Sequence, residues 1–208
     1  MSGTQLEAWR GAFGDAYVER NAVSAEVLRA RIAMWAAILR SLPGVRLEAI
    51  AEIGANIGYN LRALRQLSAA RLLAVEPNAE ARRKLVADGV VAPEDVIDGA
   101  AQSLPLADRS VDLAFTSGVL IHIAPDDLGS ACDEIFRVSR RYVIAIEYFS
   151  DKPQEIVYQG QSGLLFKRDF GAFWLDRFPQ LRVVDYGFFW KRVTGLDNLT
   201  WWLLEKAE

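Results

Sequence analysis

A glycine turn and an acid that follows it are the residues whose types and spacing best suit binding a nucleotide-like ligand. Gly54 and Gly58 bracket the turn, and Glu76 lies one predicted strand further along the chain. Glycine lets the backbone adopt positive φ, or pass close to a ligand, where a Cβ atom would clash. An acid about 20 residues after such a turn can accept hydrogen bonds from ribose hydroxyls. The spacing therefore predicts a site for a ligand that contains a ribose.

The elements that must position these residues form the start of an α/β fold. Residues 47–53 predict a short apolar strand, the turn follows, and a helix with leucines at helical spacing comes next. Residues 71–76 predict a second strand that ends in Glu76. Strand, glycine turn and helix in this order are typical of the opening unit of nucleotide-binding folds.

Two ribose-containing ligands compete for this turn, a nicotinamide dinucleotide and S-adenosylmethionine (SAM). The dinucleotide pattern Gly-x-Gly-x-x-Gly needs its middle glycine so that the backbone can approach a pyrophosphate. Asn56 occupies that position, and Tyr59 occupies the position of the third glycine. SAM has no pyrophosphate, and asparagine tolerates left-handed geometry better than most residues. The turn therefore favours SAM, with a nicotinamide-dependent oxidoreductase and an α/β turn without any ligand as alternatives.

Length and composition predict one soluble domain over residues 1–208. Of the 208 residues 51% are hydrophobic, which is enough for one substantial core. The formal net charge of −3 argues against non-specific binding to nucleic acid, which requires clustered positive charge. Cys132 is the only cysteine, and we expect it to pack as a small buried residue. The longest apolar run, Ile32–Leu39, is too short to span a bilayer, so we expect a cytoplasmic protein without a membrane partner. We also expect a monomer or homodimer.

The remaining pattern predicts alternating strands and helices after two leading helices. Residues 1–42 carry the leading helices, at about 4–20 and 24–41, and residues 47–208 carry the α/β core. Further strands are predicted at 96–98, 111–116, 142–148, 181–189 and 199–204, with helices at 78–88, 125–138 and after Asp169. This order describes a sheet with helices on both faces. No spacing of histidine, cysteine and carboxylate residues requires a metal.

Two motifs resemble those of class I SAM-dependent methyltransferases. The turn Glu52-x-Gly54-x-Asn56-x-Gly58 resembles their motif I, and residues 104–113, Leu-Pro-Leu-x-Asp-x-Ser-Val-Asp-Leu, are similar to the segment before their fourth strand. The resemblance covers nearly the whole chain. It implies a Rossmann-like fold with seven strands in a mostly parallel sheet and leading helices that cover the cofactor. It also implies that residues 199–205 form a last strand, inserted antiparallel between strands five and six.

Further segments resemble methylases associated with pseudaminic acid biosynthesis. They are Trp9-x-x-x-Phe13-Gly14-Asp15-x-Tyr17-x-x-Arg20-Asn21, Gly118-Val-Leu-Ile-His122-Ile, residues 166–170 and 185–187, and Leu199-Thr-Trp. This resemblance implies methyl transfer from SAM to oxygen or nitrogen of a small polar metabolite related to sugars or nonulosonates. It leaves the acceptor open, and a non-catalytic SAM-binding protein is a further alternative.

The resemblance implies cofactor-binding residues at the turn, the strand ends and the leading helices. They are Tyr17, Arg20, Glu52, Gly54, Asn56, Gly58, Glu76, Pro77, Ala100, Ala101, Ser117 and Gly118. Arg20 is expected either to pair bidentately with the methionine carboxylate of SAM, with Tyr17 donating a hydrogen bond to it, or to be a surface arginine at an ordinary helix end.

The adenine site departs from the pattern of the relatives. Many of them place an aspartate where this chain has Ala100. We therefore expect the backbone of Ala100 and Ala101 to receive the adenine, with help from Gln102 or Ser103. Asp98, which precedes the glycine of this segment, is the weaker candidate.

The candidate catalytic residues are His122, Tyr148 and Tyr17. His122 is the only histidine and follows the fourth strand, at the edge where ligands bind in such sheets. We predict either a general base for a hydroxyl acceptor or a residue that only holds its loop by hydrogen bonds. Tyr17 and Tyr148 are predicted to help set the transfer geometry, because positioning provides most of the catalysis of methyl transfer.

Four residues are predicted to contact the acceptor substrate. Glu147 and Tyr148 end the fifth strand, and Lys167 and Arg168 could offer charge to an anionic acceptor or belong to a solvated turn. Asp169, beside them, is expected to cap the following helix.

Overall fold

The computed structural model describes residues 3–21, 23–42 and 44–207. Its main sheet has seven strands in the order β3-β2-β1-β4-β5-β9-β8. These strands are β1 (Ala49–Ile53), β2 (Arg71–Val75), β3 (Val96–Ile97), β4 (Val111–Ser117), β5 (Ser139–Glu147), β8 (Leu181–Phe189) and β9 (Leu199–Lys206). A separate two-stranded sheet pairs β6 (Gln154–Glu155) with β7 (Phe166–Lys167).

The pairing confirms the predicted topology. β1 pairs in parallel with β2 and β4, β2 with β3, and β4 with β5, whereas β9 is antiparallel to both β5 and β8. The last strand is therefore inserted where the resemblance placed it. Because β9 runs opposite to both neighbours, β8 runs in the same direction as β5. The carboxyl ends of β1, β2, β4, β5 and β8 share one edge of the sheet.

Helices cover both faces, as the alternating pattern predicted. They are α1 (Gly3–Arg10), α2 (Ala12–Arg20), α3 (Ala25–Leu39), α4 (Tyr59–Leu64), α5 (Ala79–Ala87), α6 (Pro125–Val138), α7 (Phe170–Arg177) and α8 (Lys191–Thr194). One buried cluster joins the sheet to α6 and α7, and a second joins its other face to α3, α4 and α5. Cys132 packs in the first cluster, as predicted. No helix within the described residues is both long and apolar enough to cross a membrane.

The leading helices lie against the ligand edge of the sheet. The first predicted helix is two helices, because the chain leaves the helical conformation at Gly11. The Asn78 Nδ2 atom, at the start of α5, donates to Trp9 O at 3.2 Å and to Asp15 Oδ1 at 2.8 Å. Gln5 Nε2 donates to Gly163 O at 3.1 Å. These bonds hold α1 and α2 over the carboxyl ends of the strands.

Candidate functional site

A cavity lies between α1, α2 and α3 and the carboxyl ends of β1, β2 and β4. The space within it, open mouth included, is about 1140 Å³. The predicted site residues that line it are Tyr17, Glu52, Gly54, Asn56, Glu76, Pro77, Ala100, Ala101, Ser117, Gly118 and His122. Arg20, Gly58, Glu147, Tyr148, Lys167 and Arg168 are not part of its lining.

The glycine turn is left-handed at three positions. Gly54, Asn56 and Gly58 have φ values of 79°, 47° and 77°, which explains why asparagine is tolerated between the glycines. A Cβ atom on Gly54 would lie 2.6 Å from Val119 Cγ2. A Cβ atom on Gly58 would lie 2.6 Å from Leu85 Cδ2, away from the cavity. Gly58 is therefore required by conformation and packing, whereas Gly54 also faces the cavity.

Glu76 connects two turns at the cavity wall. Its side chain is only 6% exposed, and burial raises the pKa of its carboxyl. Oε2 accepts from Asn56 N at 2.7 Å, and Oε1 accepts from Asn78 N at 2.8 Å. Each oxygen keeps further acceptor capacity. Glu76 thus holds the glycine turn against the start of α5 and also faces the cavity.

A network of polar side chains occupies the opposite end of the cavity. Arg31 Nη1, from α3, donates to Asn60 Oδ1 and to Ser117 Oγ, both at 3.2 Å. Asn60 Nδ2 donates to Glu52 Oε1 at 2.6 Å, and Trp35 Nε1 donates to Asn60 Oδ1 at 3.1 Å. The network fixes the amide and both charged groups in one orientation.

Two atoms of this network lack partners among the described residues. They are Arg31 Nε and Glu52 Oε2, and both are buried. Burial lowers the pKa of Arg31 and raises that of Glu52 to about 8, although each group favours the charged form of the other. A buried polar atom without a partner is costly. Arg31 and Glu52 both line the cavity, and a guanidinium and a carboxyl group in one cavity wall are complementary to the carboxylate and ammonium of an amino acid.

From the sequence we expect Arg20 near the carboxylate of SAM, but the arginine that lines the cavity is Arg31, which the sequence pattern did not single out. Arg20 is exposed at the end of α2, with its Cζ atom 5.7 Å from the centre of the Tyr17 ring, outside the cavity. Tyr17, which is also expected near the cofactor, lines the cavity. Arg31 lies one helical turn before the buried Trp35 on α3. An arginine on the apolar face of a helix was the signal that could have found it.

The segment after β3 lines the cavity through Gly99, Ala100, Ala101 and Gln102. Ser103 is not part of the lining, and its N–H donates to Ala100 O at 3.0 Å. Asp98 also lies outside the lining, where it forms ion pairs with Arg10 at 2.6 Å and Arg82 at 3.0 Å. These pairs connect α1 to the start of α5.

His122 ends a short 3-10 turn, Leu120–His122, after β4. Its Nδ1 lies 2.6 Å from Leu164 O. A carbonyl can only accept, so Nδ1 carries the hydrogen and Nε2 keeps its lone pair. Burial lowers the histidine pKa, and Nε2 has no hydrogen bond to the described part of the chain. The rings of Trp9 and Tyr158 pack on His122 with centroids 5.0 and 5.3 Å away. His122 is therefore a neutral imidazole able to accept a proton.

The structure does not place Glu147 where a substrate could reach it. Its side chain is fully buried and accepts from the N–H groups of Val119 at 3.3 Å, Leu120 at 3.2 Å and Ile121 at 3.4 Å. Burial raises the pKa of its carboxyl to about 7. The prediction of a substrate contact is corrected on this geometry. Glu147 lies beneath the turn that carries His122 and holds its backbone.

Tyr148 and Lys167 line a second, open groove. This β8–β9 groove is formed by Tyr148, Lys167, Tyr186, Phe188, Asp197 and their neighbours. Tyr148 Oη donates to Asp197 Oδ2 at 2.8 Å, and Lys167 Nζ lies 5.2 Å from the centre of the Tyr148 ring. Arg168 lines neither space, because its guanidinium stacks on the Phe173 ring at 4.7 Å. Asp169 caps α7 as predicted, accepting from Ala172 N at 2.9 Å.

Comparison with known proteins agrees with this geometry. Residues 51–145 match the family model described as a methyltransferase domain, and comparison with curated proteins found no match. A SAM-dependent methyltransferase of Leishmania major shares the fold with a TM-score of 0.74 at 20% identity, over 97% of this chain and 82% of that chain.

Two further solved structures share the fold and contain S-adenosylhomocysteine (SAH). The 1,6-didemethyltoxoflavin-N1-methyltransferase of Burkholderia thailandensis has a TM-score of 0.68 at 18% identity, over 99% of this chain and 87% of its own. The magnesium protoporphyrin IX methyltransferase of Synechocystis PCC 6803 has a TM-score of 0.69 at 10% identity, over 97% of both chains. Residues 51–145 thus match a methyltransferase domain, and the chain shares its fold with solved SAM-dependent methyltransferases.

Proposed function

We propose that this protein is a SAM-dependent methyltransferase that holds the amino-acid end of SAM between Arg31 and Glu52. The supporting observation is that Arg31 and Glu52 line the same cavity and that each has a buried polar atom without a partner among the described residues. Arg31 would take the carboxylate and Glu52 the ammonium, and neutralisation of both groups would offset their burial. Tyr17, whose ring closes the cavity from α2, would contact the same end.

The rest of the cavity suits the nucleoside. Glu76 offers acceptor oxygens to the ribose hydroxyls, and Gly54 and Asn56 let the backbone pass close to the ligand. Ala100 and Ala101 would receive the adenine through their backbone. When bound, SAM supplies a methyl group on a positively charged sulfur, and the protein contributes mainly position.

For the acceptor we propose a hydroxyl or amine of a small polar molecule related to sugars or nonulosonates, in line with the resemblance at the two ends of the chain. Nε2 of His122 would accept the proton of an acceptor hydroxyl. Meanwhile the bond between the hydroxyl oxygen and the methyl carbon forms, and the bond between that carbon and the sulfur breaks. The neutral tautomer set by Leu164 supports this role. Cytoplasmic location, a single domain and a monomeric or homodimeric state stay predictions from the sequence.

Calorimetric titration with SAM, SAH and NAD tests the cofactor assignment. SAM and SAH should bind and NAD should not, since Asn56 and Tyr59 replace two glycines of the dinucleotide pattern. Binding of NAD alone would support the oxidoreductase alternative. Methyl transfer to a panel of sugar acids and amino sugars then separates an enzyme from a non-catalytic SAM-binding protein.

Glu76→Gln tests the ribose contact in the same titration. Its amide oxygen can still accept from one backbone N–H, so the turn should persist. SAM affinity should fall by about 1.5–3 kcal/mol, the scale of a hydrogen bond to a charged group. Unchanged SAM affinity in the folded variant would remove Glu76 from the site.

A further inference from the structure

The β8–β9 groove lies beside the cavity at the same edge of the sheet. Tyr148 follows the carboxyl end of β5, Phe188 is near the end of β8, and Thr200 is near the start of β9. Because β5 and β8 run in the same direction and β9 runs opposite, all three meet at the ligand edge. Ligands of open α/β sheets bind at this edge.

Two side chains that line the groove, Tyr148 and Asp197, interact electrostatically with residues that line the cavity. Tyr148 Oη donates to Asp197 Oδ2 at the inner wall of the groove. Burial, then Asp197, then the neighbouring hydroxyls of Tyr17 and Tyr158 raise the pKa of Tyr148. Asp197 and Tyr148 in turn favour the charged form of Arg31 in the cavity. The groove therefore lies close enough to Tyr17 and Arg31, which line the cavity, for its side chains to influence them.

Aromatic surface is exposed in and around this groove. Tyr186 is 69% exposed, Phe188 58% and Phe149 48%. Single exposed aromatics are common, but three that line one groove form a patch of the kind that marks binding sites. The other face of the strands is covered, because Gly187 packs on Trp201 and Phe189 stacks on the same ring. The exposed rings are thus not needed for the core.

The charges of the groove leave one cation without an acidic partner. Lys191 Nζ pairs with Asp197 Oδ1 at 3.0 Å, and Asp169 is engaged as the cap of α7. Lys167 forms no ion pair with the described residues, and its Nζ lies over the Tyr148 ring. A lysine held by a ring at the inner wall offers a positive charge to a ligand in the groove.

We propose that the β8–β9 groove is the outer part of the acceptor site and binds a ring that carries a carboxylate or phosphate. The anion lies against Lys167, and the ring lies against Phe188 and Tyr186. This proposal rests on the proposed function, since it assumes that methyl transfer occurs in the adjoining cavity. The ring can belong to a sugar acid or to an aromatic acid, because a sugar offers C–H groups and an aromatic acid a flat ring to aromatic side chains, and both offer an anion to an ammonium.

Protein-observed NMR of the SAH-saturated protein tests this with two matched pairs of probes. Glucuronate and glucose represent the sugar ring with and without charge, and benzoate and benzyl alcohol represent the aromatic ring. The charged member of one pair should shift the amide signals of Phe188 and Thr200 and bind at least about fivefold more tightly than its neutral counterpart. The pair that responds identifies the ring.

Variants locate the effect. Lys167→Gln should abolish the preference for the charged probe, while Lys152→Gln, an exposed lysine outside the groove, should preserve it. Phe188→Ala should weaken both members of the responding pair, and Val193→Ala, at an exposed residue outside the groove, should not. Once an acceptor is known, Lys167→Gln should raise KM more than it lowers kcat.

Equal binding of charged and neutral probes, or shifts confined to the cavity around His122, would overturn the proposal. Calorimetry with SAH on the same samples tests the proposed function separately from the groove proposal. Failure of SAH to bind would count against the proposed function, whereas normal SAH binding without groove shifts would count against the groove alone.

Discussion

The proposed cofactor end and the proposed acceptor end of this site are built in different ways. At the cofactor end Glu52, Asn60 and Glu76 are buried and lie on strand ends or the first helix after the turn. At the acceptor end His122, Tyr148 and Lys167 lie in or beside segments that leave the sheet, and they are only partly buried. The cofactor end is therefore fixed by the sheet, whereas the acceptor end can change without altering the fold. Substitutions at the first should affect folding and SAM binding together, and those at the second should affect turnover.

The largest effect is expected from Gly54→Val. The residue has φ of +79°, and a Cβ atom would collide with Val119. Left-handed strain and overpacking each cost about 1–3 kcal/mol, so unfolding free energy should fall by about 2–6 kcal/mol. Chemical denaturation measures it. Gly89→Val is the control, because φ there is +63° with no atom within 4 Å. An equal loss in both variants would show that strain alone acts and that the contact with Val119 is unimportant.

His122→Gln should separate the two ends most clearly. If Nε2 is the base for a hydroxyl acceptor, turnover should fall by about 10²–10⁴ while SAM affinity is kept. The wild-type rate should rise with pH as the imidazole loses its proton, and burial places that rise below the usual histidine pKa of about 6.5. Steady-state kinetics across pH measures both. An amine acceptor would set the profile by its own deprotonation, and full turnover in the glutamine variant would make His122 a structural residue.

The two arginines of the leading helices give a matched test at the cofactor end. Arg31→Met should weaken SAM binding by about 1.5–3 kcal/mol, roughly 10- to 150-fold, because the carboxylate would lose a charged donor. Arg20→Met should change it little, since Arg20 lies outside the cavity. Calorimetry compares the pair. A larger loss of SAM affinity in Arg20→Met than in Arg31→Met would assign the methionine carboxylate of SAM to Arg20 and contradict its assignment to Arg31.

The smallest effect concerns the carboxyl beneath the histidine turn. The folded pKa of Glu147, about 7, lies above its ordinary value of 4.5. Its contribution to stability is therefore fully present below about pH 4.5 and lost as pH rises through about 7. Glu147→Gln should flatten the fall in melting temperature across this window, whereas Glu94→Gln, at an exposed carboxylate, should not. Glu52, with a pKa of about 8, should leave a residual fall at higher pH. If melting temperature fell equally with pH in the wild type and in Glu147→Gln, the pKa of Glu147 would not contribute to the pH dependence of stability.

The sequence by itself determined the sheet, the turn and the cofactor class. Apolar runs of strand length, glycines at Gly54 and Gly58 and the acid at Glu76 depend on local conformation and on short spacings along the chain. For the same reason Asn56 could be read as a left-handed residue, and the place of β9 followed from the resemblance.

Only the tertiary structure decided which charged side chains line the cavity. Arg20 and Arg31 look equivalent in the sequence, but the packing of α3 through Trp35 turns Arg31 inward, while Arg20 ends α2 at the surface. Glu147 ends a strand at the expected edge, but three backbone N–H groups from the turn after β4 enclose it. The β8–β9 groove likewise joins segments far apart in the chain. The direction of a side chain depends on long-range packing, which local periodicity does not encode.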